Sequence, residues 1–175
     1  MAIDESRTFV PLNIAVITVS DTRTADNDTS GDTLVERLQE AGHRLAARAI
    51  VRDDAEELAR QFMALVDDEG VDVIVSTGGT GLTGRDVTPE ALERIATKTI
   101  PGFGELFRWL SFQSIGTSTV QSRAMAVLAR TTYIFALPGS TGAVRDGWDG
   151  ILATQLDSRY RPCNFVSLIP RLAEK

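Results

Sequence analysis

Residues 71–90 read VDVIVSTGGTGLTGRDVTPE. Val71 to Ser76 is apolar and rich in β-branched residues, as expected of a strand buried on both faces. Four glycines follow within seven residues: Gly78, Gly79, Gly81 and Gly84. Thr88 and Pro89 then form a helix start, a capping hydroxyl followed by a proline at the first helical position. A buried strand, a glycine loop and a helix start in direct succession indicate an α/β domain. In such sheets ligands bind beyond the carboxyl ends of the strands.

The same alternation runs outward in both directions. Residues 13–20 (NIAVITVS) are a second continuous apolar strand, residues 45–51 a third and more ambiguous one, and residues 132–137 (TYIFAL) a fourth, closed by Pro138-Gly139. The stretch from Asp28 to Gly31 supplies helix-start chemistry ahead of Leu34, Val35, Leu38 and Ala41. Asp53 or Asp54 caps a helix carrying Leu58, Phe62, Leu65 and Val66 on one stripe. Further helices are expected over 90–96, 103–114, 119–129 and 143–156. No internal repeat or linker interrupts the pattern. The expectation is one domain over residues 1–175, with its core at about 10–158 and a tail at 159–175. Its fold class is a three-layer α/β/α sandwich around a mostly parallel sheet.

Composition narrows the function. The chain has 175 residues, 43% of them hydrophobic, and a net charge of −6, a balance that repels a nucleic-acid backbone at long range. One His and one Cys cannot build a Cys/His zinc site or an internal disulfide. The first residues lack the basic and apolar runs of a signal peptide, and no apolar run spans a bilayer. A cytoplasmic protein with neither nucleic-acid nor membrane partners is expected.

The glycine loop carries the chemistry. Gly79, Gly81 and Gly84 match G-x-G-x-x-G formally, but Pro89 starts the helix after the loop and no acidic strand end follows at the required distance. A phosphate loop of the Walker type needs Gly-Lys-Ser/Thr, which is absent. The GLTG tetrapeptide of one RNA-binding module is too short to weigh against the acidic charge. The remaining chemistry is anion binding: main-chain N–H groups converge on one point, and Thr77, Thr80 and Thr83 add hydroxyls. A plain mobile turn is the competing explanation, although one or two glycines suffice for that. A carboxylate such as Asp86 beside a phosphate cradle needs a cation between them, and Mg²⁺ is the usual one. Asp53 reaches the same sheet edge, where the residues alone favour a helix cap. Arg85 pairs with a phosphate or remains a surface charge. The Pro138-Gly139-Ser140 turn and the Ser20-Asp21-Thr22 ridge complete the rim, each explicable singly as a turn or cap.

Six stretches together resemble the MogA/MoaB family of molybdenum cofactor biosynthesis proteins, and its MoaB branch most. They are SDT at Ser20, GGTGLTGRDVTPEAL from Gly78, PGFGELFR from Pro101, QSRA from Gln121, LPGST from Leu137 and RPCNF from Arg161. The resemblance implies a MogA-like fold and adenylyl transfer from Mg-ATP to the terminal phosphate of molybdopterin. It assigns the essential aspartates to Asp53 and Asp86, both placed on Mg²⁺. The molybdopterin site it implies comprises Gly78, Gly79, Thr80, Gly81, Ser122, Arg123, Pro138 and Gly139; the residues themselves add Thr77 and Ser140, and Ser20, Asp21, Thr22 and Arg85 as candidates on the nucleotide side. LPGSTG departs from the usual turn, which places a proline after the small polar residue. The intact Arg85 to Pro89 block favours turnover over the alternative, a molybdopterin-binding or scaffold protein without catalysis. Trimers or hexamers, and a transient contact with the molybdate-insertion enzyme, are also implied. Residues support assembly directly: in 103–114 Phe103, Leu106, Phe107 and Leu110 share a stripe while Trp109 and Phe112 point elsewhere, which fits a subunit contact or a helix inside the core. The aromatic residues of the tail are expected to pack on a neighbouring subunit.

Overall fold

Strand β1 (Asn13–Val19) sorts its side chains between two cores. Ile14 and Val16 enter one, and Ala15, Ile17 and Val19 enter the other, as strand geometry requires when both faces are covered. The computed structural model describes residues 3–174; residues 1, 2 and 175 of the expected domain lie outside them. Around β1 the sheet adds β2 (Arg44–Val51), β3 (Val73–Thr77), β4 (Lys98–Thr99), β5 (Met125–Ala129) and β6 (Thr132–Leu137) in the order β2-β1-β3-β6-β5-β4. Strands β1, β2, β3 and β6 are parallel, and β5 and β4 join through antiparallel pairings.

Helices cover both faces. Leu34 and Leu38 of α1 (Thr29–Glu40), Phe103 and Phe107 of α4 (Pro101–Ile115) and Val144 of α5 (Thr141–Gly147) close the first core. Leu58 and Phe62 of α2 (Ala55–Val66) and Ala91 and Leu92 of α3 (Thr88–Ile95) close the second. After α5 the chain continues through a π-helical turn (Trp148–Leu152) into α6 (Ala153–Gln155). The three layers and the mostly parallel sheet are those expected. Among the described residues no helix is long and apolar enough to cross a membrane. The sequence order reverses between β1 and β3, because the chain goes from β1 to β2 on one side and then crosses to β3 on the other. That switch point leaves a crevice at the carboxyl ends of the two strands.

Four expectations need correction. Residues 119–129 are not a helix: Gly116–Gln121 is a 3₁₀ segment and 125–129 is strand β5, hairpinned onto β6. Met, Ala and Leu favour helices intrinsically, but pairing with β6 and burial on both faces override that preference here. The Thr88 hydroxyl does not cap α3; it donates to the Gly78 carbonyl at 2.9 Å and so ties the helix to the glycine loop. Of the tail aromatics, Phe165 packs on Tyr133 and Phe135 of its own chain and not on a neighbour, at 4.9 and 5.4 Å between centroids. In α4 only part of the expected stripe is buried: Phe103 and Phe107 are inside, while Leu106 is 42% exposed.

Candidate active site

Three strand ends meet at the crevice. Val19 ends β1 and hands the chain to Ser20; Thr77 ends β3 and enters the glycine loop; Leu137 ends β6 and enters Pro138-Gly139-Ser140. Two bonds lock the last two ends together. The Gly78 amide donates to the Leu137 carbonyl at 2.9 Å, and the Thr77 hydroxyl donates to the Pro138 carbonyl at 3.0 Å. At Gly78 φ is +103°, and a Cβ would lie 2.1 Å from the Val19 carbonyl oxygen. Only glycine lets β1 and β3 approach this closely while the chain turns left-handed.

The two aspartates flank the next glycines. A Cβ at Gly79 would lie 3.1 Å from Asp53 Oδ1, and one at Gly81 would lie 2.8 Å from Asp86 Oδ2. Asp54, not Asp53, caps α2, accepting from the amides of Glu56 at 3.1 Å and Glu57 at 2.9 Å. Asp53 is thereby released to face the loop. Burial first, and then the nearby charges of Asp21 and Asp86, hold its carboxyl above the ordinary aspartate value; Arg85 opposes them. Asp86 behaves oppositely. Its partial burial pushes the carboxyl up, but the Thr83 hydroxyl at 2.6 Å and the Thr83 amide at 2.8 Å pull it below the ordinary value.

These groups line one cavity of about 530 Å³. Its lining includes Ser20, Asp53, Arg85 and Asp86, and Gly78 to Gly81 with Pro138, Gly139 and Ser140. Phe107, Ser111 and Ile115 of α4 and Ser118, Thr119 and Gln121 of the 3₁₀ segment line it as well. The sequence does not mark these six: Phe107 and Ser111 read as helix-face residues of 103–114, and Thr119 and Gln121 as part of a helix; the hydroxyl run Thr117-Ser118-Thr119 is the available signal. Ser122 belongs to the lining, and its hydroxyl oxygen accepts from the Ala124 amide at 3.2 Å. Ser140 caps α5 at the rim, accepting from the Ala143 amide at 3.2 Å.

Other expected site residues serve the frame. Asp21 takes both ends of the Arg85 guanidinium, Nε to Oδ2 at 2.9 Å and Nη2 to Oδ1 at 2.8 Å. It also accepts from the Asp53 amide at 3.3 Å. The Thr22 amide donates to Ser20 Oγ at 3.2 Å, closing the turn after β1. Arg123 lies outside the cavity lining, with its guanidinium spent on the glycine loop. The amino end of α3 is spent as well, because its Thr88 amide donates to the Gly79 carbonyl at 2.9 Å.

Residues 15–158 match the family described as "Probable molybdopterin binding domain". The molybdenum cofactor biosynthesis protein B of Escherichia coli (strain K12) is 50% identical over 160 residues, covering 91% of this chain and 94% of that protein. A crystal structure of a molybdenum cofactor biosynthesis protein B is 37% identical, with a TM-score of 0.87 over 97% of this chain and 100% of that one. The tungsten cofactor synthesizing protein MoaB of Pyrococcus furiosus is 31% identical, with a TM-score of 0.77 over 94% of this chain and 98% of that one. This chain belongs to the MogA/MoaB family. All cavity-lining residues of this MogA/MoaB member fall inside the matched range.

Within that family framework, the carboxylates can be tested for a divalent cation. No cluster of three or more metal-ligating side chains exists among the described residues. Two aspartates, one beside Gly79 and one beside Gly81, nevertheless suit Mg²⁺, which commonly takes one or two protein carboxylates and completes its shell with phosphate oxygens and water. The repulsion around Asp53 is what a bound cation would relieve.

Proposed function

We propose that this chain acts in molybdenum cofactor biosynthesis by adenylylating molybdopterin. The terminal phosphate oxygen of molybdopterin forms a bond to the α-phosphorus of ATP as the bond to the bridging oxygen breaks. The products are adenylyl-molybdopterin and pyrophosphate. The observation that carries this reading is the convergence of Asp53, Asp86, the glycine loop and the turn after β6 on one cavity. The attacking group is already an anion, so the protein's work is positioning and charge neutralisation. Amides of the glycine loop and the Ser140 turn are the donors for the acceptor phosphate. Asp53 and Asp86 would hold Mg²⁺, which supplies charge neutralisation to the triphosphate. Arg85, held by Asp21 at the same end, is poised to exchange that carboxylate for a nucleotide phosphate.

The test is incubation with molybdopterin, Mg²⁺ and ATP labelled at the α-phosphate, followed by isolation of labelled adenylyl-molybdopterin. Asp86→Asn should cut turnover by at least about 100-fold while the protein stays folded. Wild-type turnover in Asp86→Asn would remove Asp86 from the mechanism. A second reading, binding without turnover, is favoured by the engagement of Asp86 with Thr83 and of Arg85 with Asp21. It requires saturable molybdopterin binding with no labelled product under the same conditions.

Assembly is proposed on separate grounds. Leu106, Trp109, Phe112 and Ile115 recur at every third residue of α4 and are between 42% and 62% exposed. Val120, in the 3₁₀ segment that follows the helix, is exposed too. A second copy of the chain is the proposed occupant, in a trimer or a pair of trimers. A transient contact with the molybdate-insertion enzyme and a cytoplasmic location complete the proposal.

A further inference from the structure

Arg123 is the one charged residue of the QSRA stretch, and its amide and guanidinium bond the glycine loop and the helix that follows it. Its amide donates to the Thr80 carbonyl at 3.0 Å. Its Nε donates to the Gly81 carbonyl at 2.7 Å and its Nη2 to the Asp86 carbonyl at 2.7 Å. Its Nη1 pairs with Oε1 of Glu90, which lies in the first turn of α3. One planar fork therefore joins both ends of the 81–86 turn to the helix that follows it. Inside the turn, the Asp86 amide donates to the Thr83 carbonyl at 3.0 Å and the Asp86 carboxylate accepts from Thr83. The segment carrying Arg123 is held from its other side, where Arg108 of α4 donates to the carbonyls of Ser122 at 3.3 Å and Ala124 at 3.1 Å.

We propose that Arg123 is a positioning residue that sets the Asp86 carboxylate through the 81–86 turn, with Glu90 as its counter-charge, and that it does not contact the substrate. Turning the guanidinium toward a phosphate would leave the Gly81 and Asp86 carbonyls without their donor. Such bonds from a charged group are among the strongest the chain makes. Lysine cannot substitute: a single ammonium carries the charge but cannot span three acceptors lying in different directions. The catalytic consequence rests on the adenylyl-transfer reading above, whereas the clamp itself does not.

The experiment compares wild type, Arg123→Lys and Glu90→Gln, each first checked for a cooperative thermal transition. Backbone hydrogen exchange over residues 80–88 is measured in the absence of ligands. Turnover is then measured with varied molybdopterin, and molybdopterin affinity by calorimetry. Exchange at residues 81–86 should become about tenfold faster or more in both variants. Turnover should fall through kcat, with little change in KM or affinity for molybdopterin. Wild-type exchange in a folded Arg123→Lys protein would overturn the proposal. So would a Glu90→Gln protein with an unchanged loop and tighter molybdopterin binding, the result expected from freeing a phosphate ligand. If Arg123→Lys does not fold, Glu90→Gln alone still decides the question. If wild type shows no turnover, the adenylyl-transfer reading fails, while loop exchange still tests the clamp.

Discussion

A methyl group at position 81 would press on the Asp86 carboxylate, whereas one at position 84 would meet nothing within 4 Å. The contrast answers why the loop holds so many glycines. Gly78 and Gly79 carry positive φ, Gly81 makes room for a functional side chain, and Gly84 meets neither demand. Gly81→Ala should therefore displace Asp86 and lower adenylylation by about 100-fold, since small displacements of a catalytic group cost that much. Gly84→Ala should leave turnover and melting temperature at the wild-type values. Equal activity in the two variants would count against a role for Asp86 geometry. Asp53 gives a second prediction at this scale. Its carboxyl sits above the ordinary value because of burial and the charges of Asp21 and Asp86. A raised carboxyl stabilises the fold only below the unfolded value near 3.9 and loses that contribution as pH rises through the folded value. At neutral pH the charge is thus a cost. Asp53→Asn should raise the melting temperature of the metal-free protein while abolishing turnover. Millimolar Mg²⁺ should raise the melting temperature of wild type more than that of the variant. A lower melting temperature in Asp53→Asn would sink the repulsion account.

Among the elements, α1, β1 and β2 are joined by one fully buried carboxylate. Asp28 caps α1 by accepting from the Gly31 amide at 3.0 Å, accepts from Thr18 of β1 at 2.7 Å, and pairs with Arg48 of β2 at 3.0 Å. Burial raises its carboxyl, but these donors together hold it below the ordinary value. A lowered carboxyl contributes stability that is present above the unfolded value near 3.9 and is lost as pH falls through the folded one. Asp28→Ala should cost about 2 kcal/mol in urea unfolding at pH 7, because it removes a cap and leaves the buried Thr18 hydroxyl without its acceptor, while Arg48 keeps Asp32 at 2.7 Å. The difference from wild type should shrink below about pH 4. An unchanged unfolding midpoint at pH 7 would show that the network adds nothing. The helix-start chemistry at Asp28 was legible in sequence; the reach to Arg48 was not, because it depends on the β1–β2 register. The same division holds elsewhere. Strands β1, β3 and β6 were legible because each is a continuous apolar run rich in β-branched or aromatic residues. Strand β5 was not, because MAVLA is built largely of helix formers and becomes a strand only by pairing with β6. The Asp86 side of the site could be read from the glycine loop. Asp53 could be separated from Asp54 only once the cap was seen, and Thr119 and Gln121 of the lining were hidden because 119–129 reads as a helix.

At the scale of the whole molecule, the exposed strip on α4 carries the proposed assembly, which makes behaviour on dilution its test. A helix needs one apolar face to pack on its own sheet, and Phe103 and Phe107 already supply it. Leu106, Trp109, Phe112 and Ile115 form a second one, larger than scattered surface apolar residues explain. Ile115 also lines the cavity, so the proposed interface and the candidate site share a side chain. The two tryptophans offer a direct readout, since Trp148 is 2% exposed in the chain itself and Trp109 is 62% exposed. Self-association through α4 would bury Trp109 and shift its emission to the blue. On dilution below the dissociation constant the emission should move to the red, in step with a fall in sedimentation coefficient. Trp109→Glu places a charge at the centre of the strip and should weaken assembly by more than about 2 kcal/mol, roughly a 30-fold loss of affinity. It should therefore sediment as a monomer at concentrations where wild type does not, with its thermal unfolding still cooperative. A Trp109→Glu protein that sediments like wild type, or a Trp109 emission indifferent to dilution through the sedimentation transition, would exclude α4 as the contact between copies.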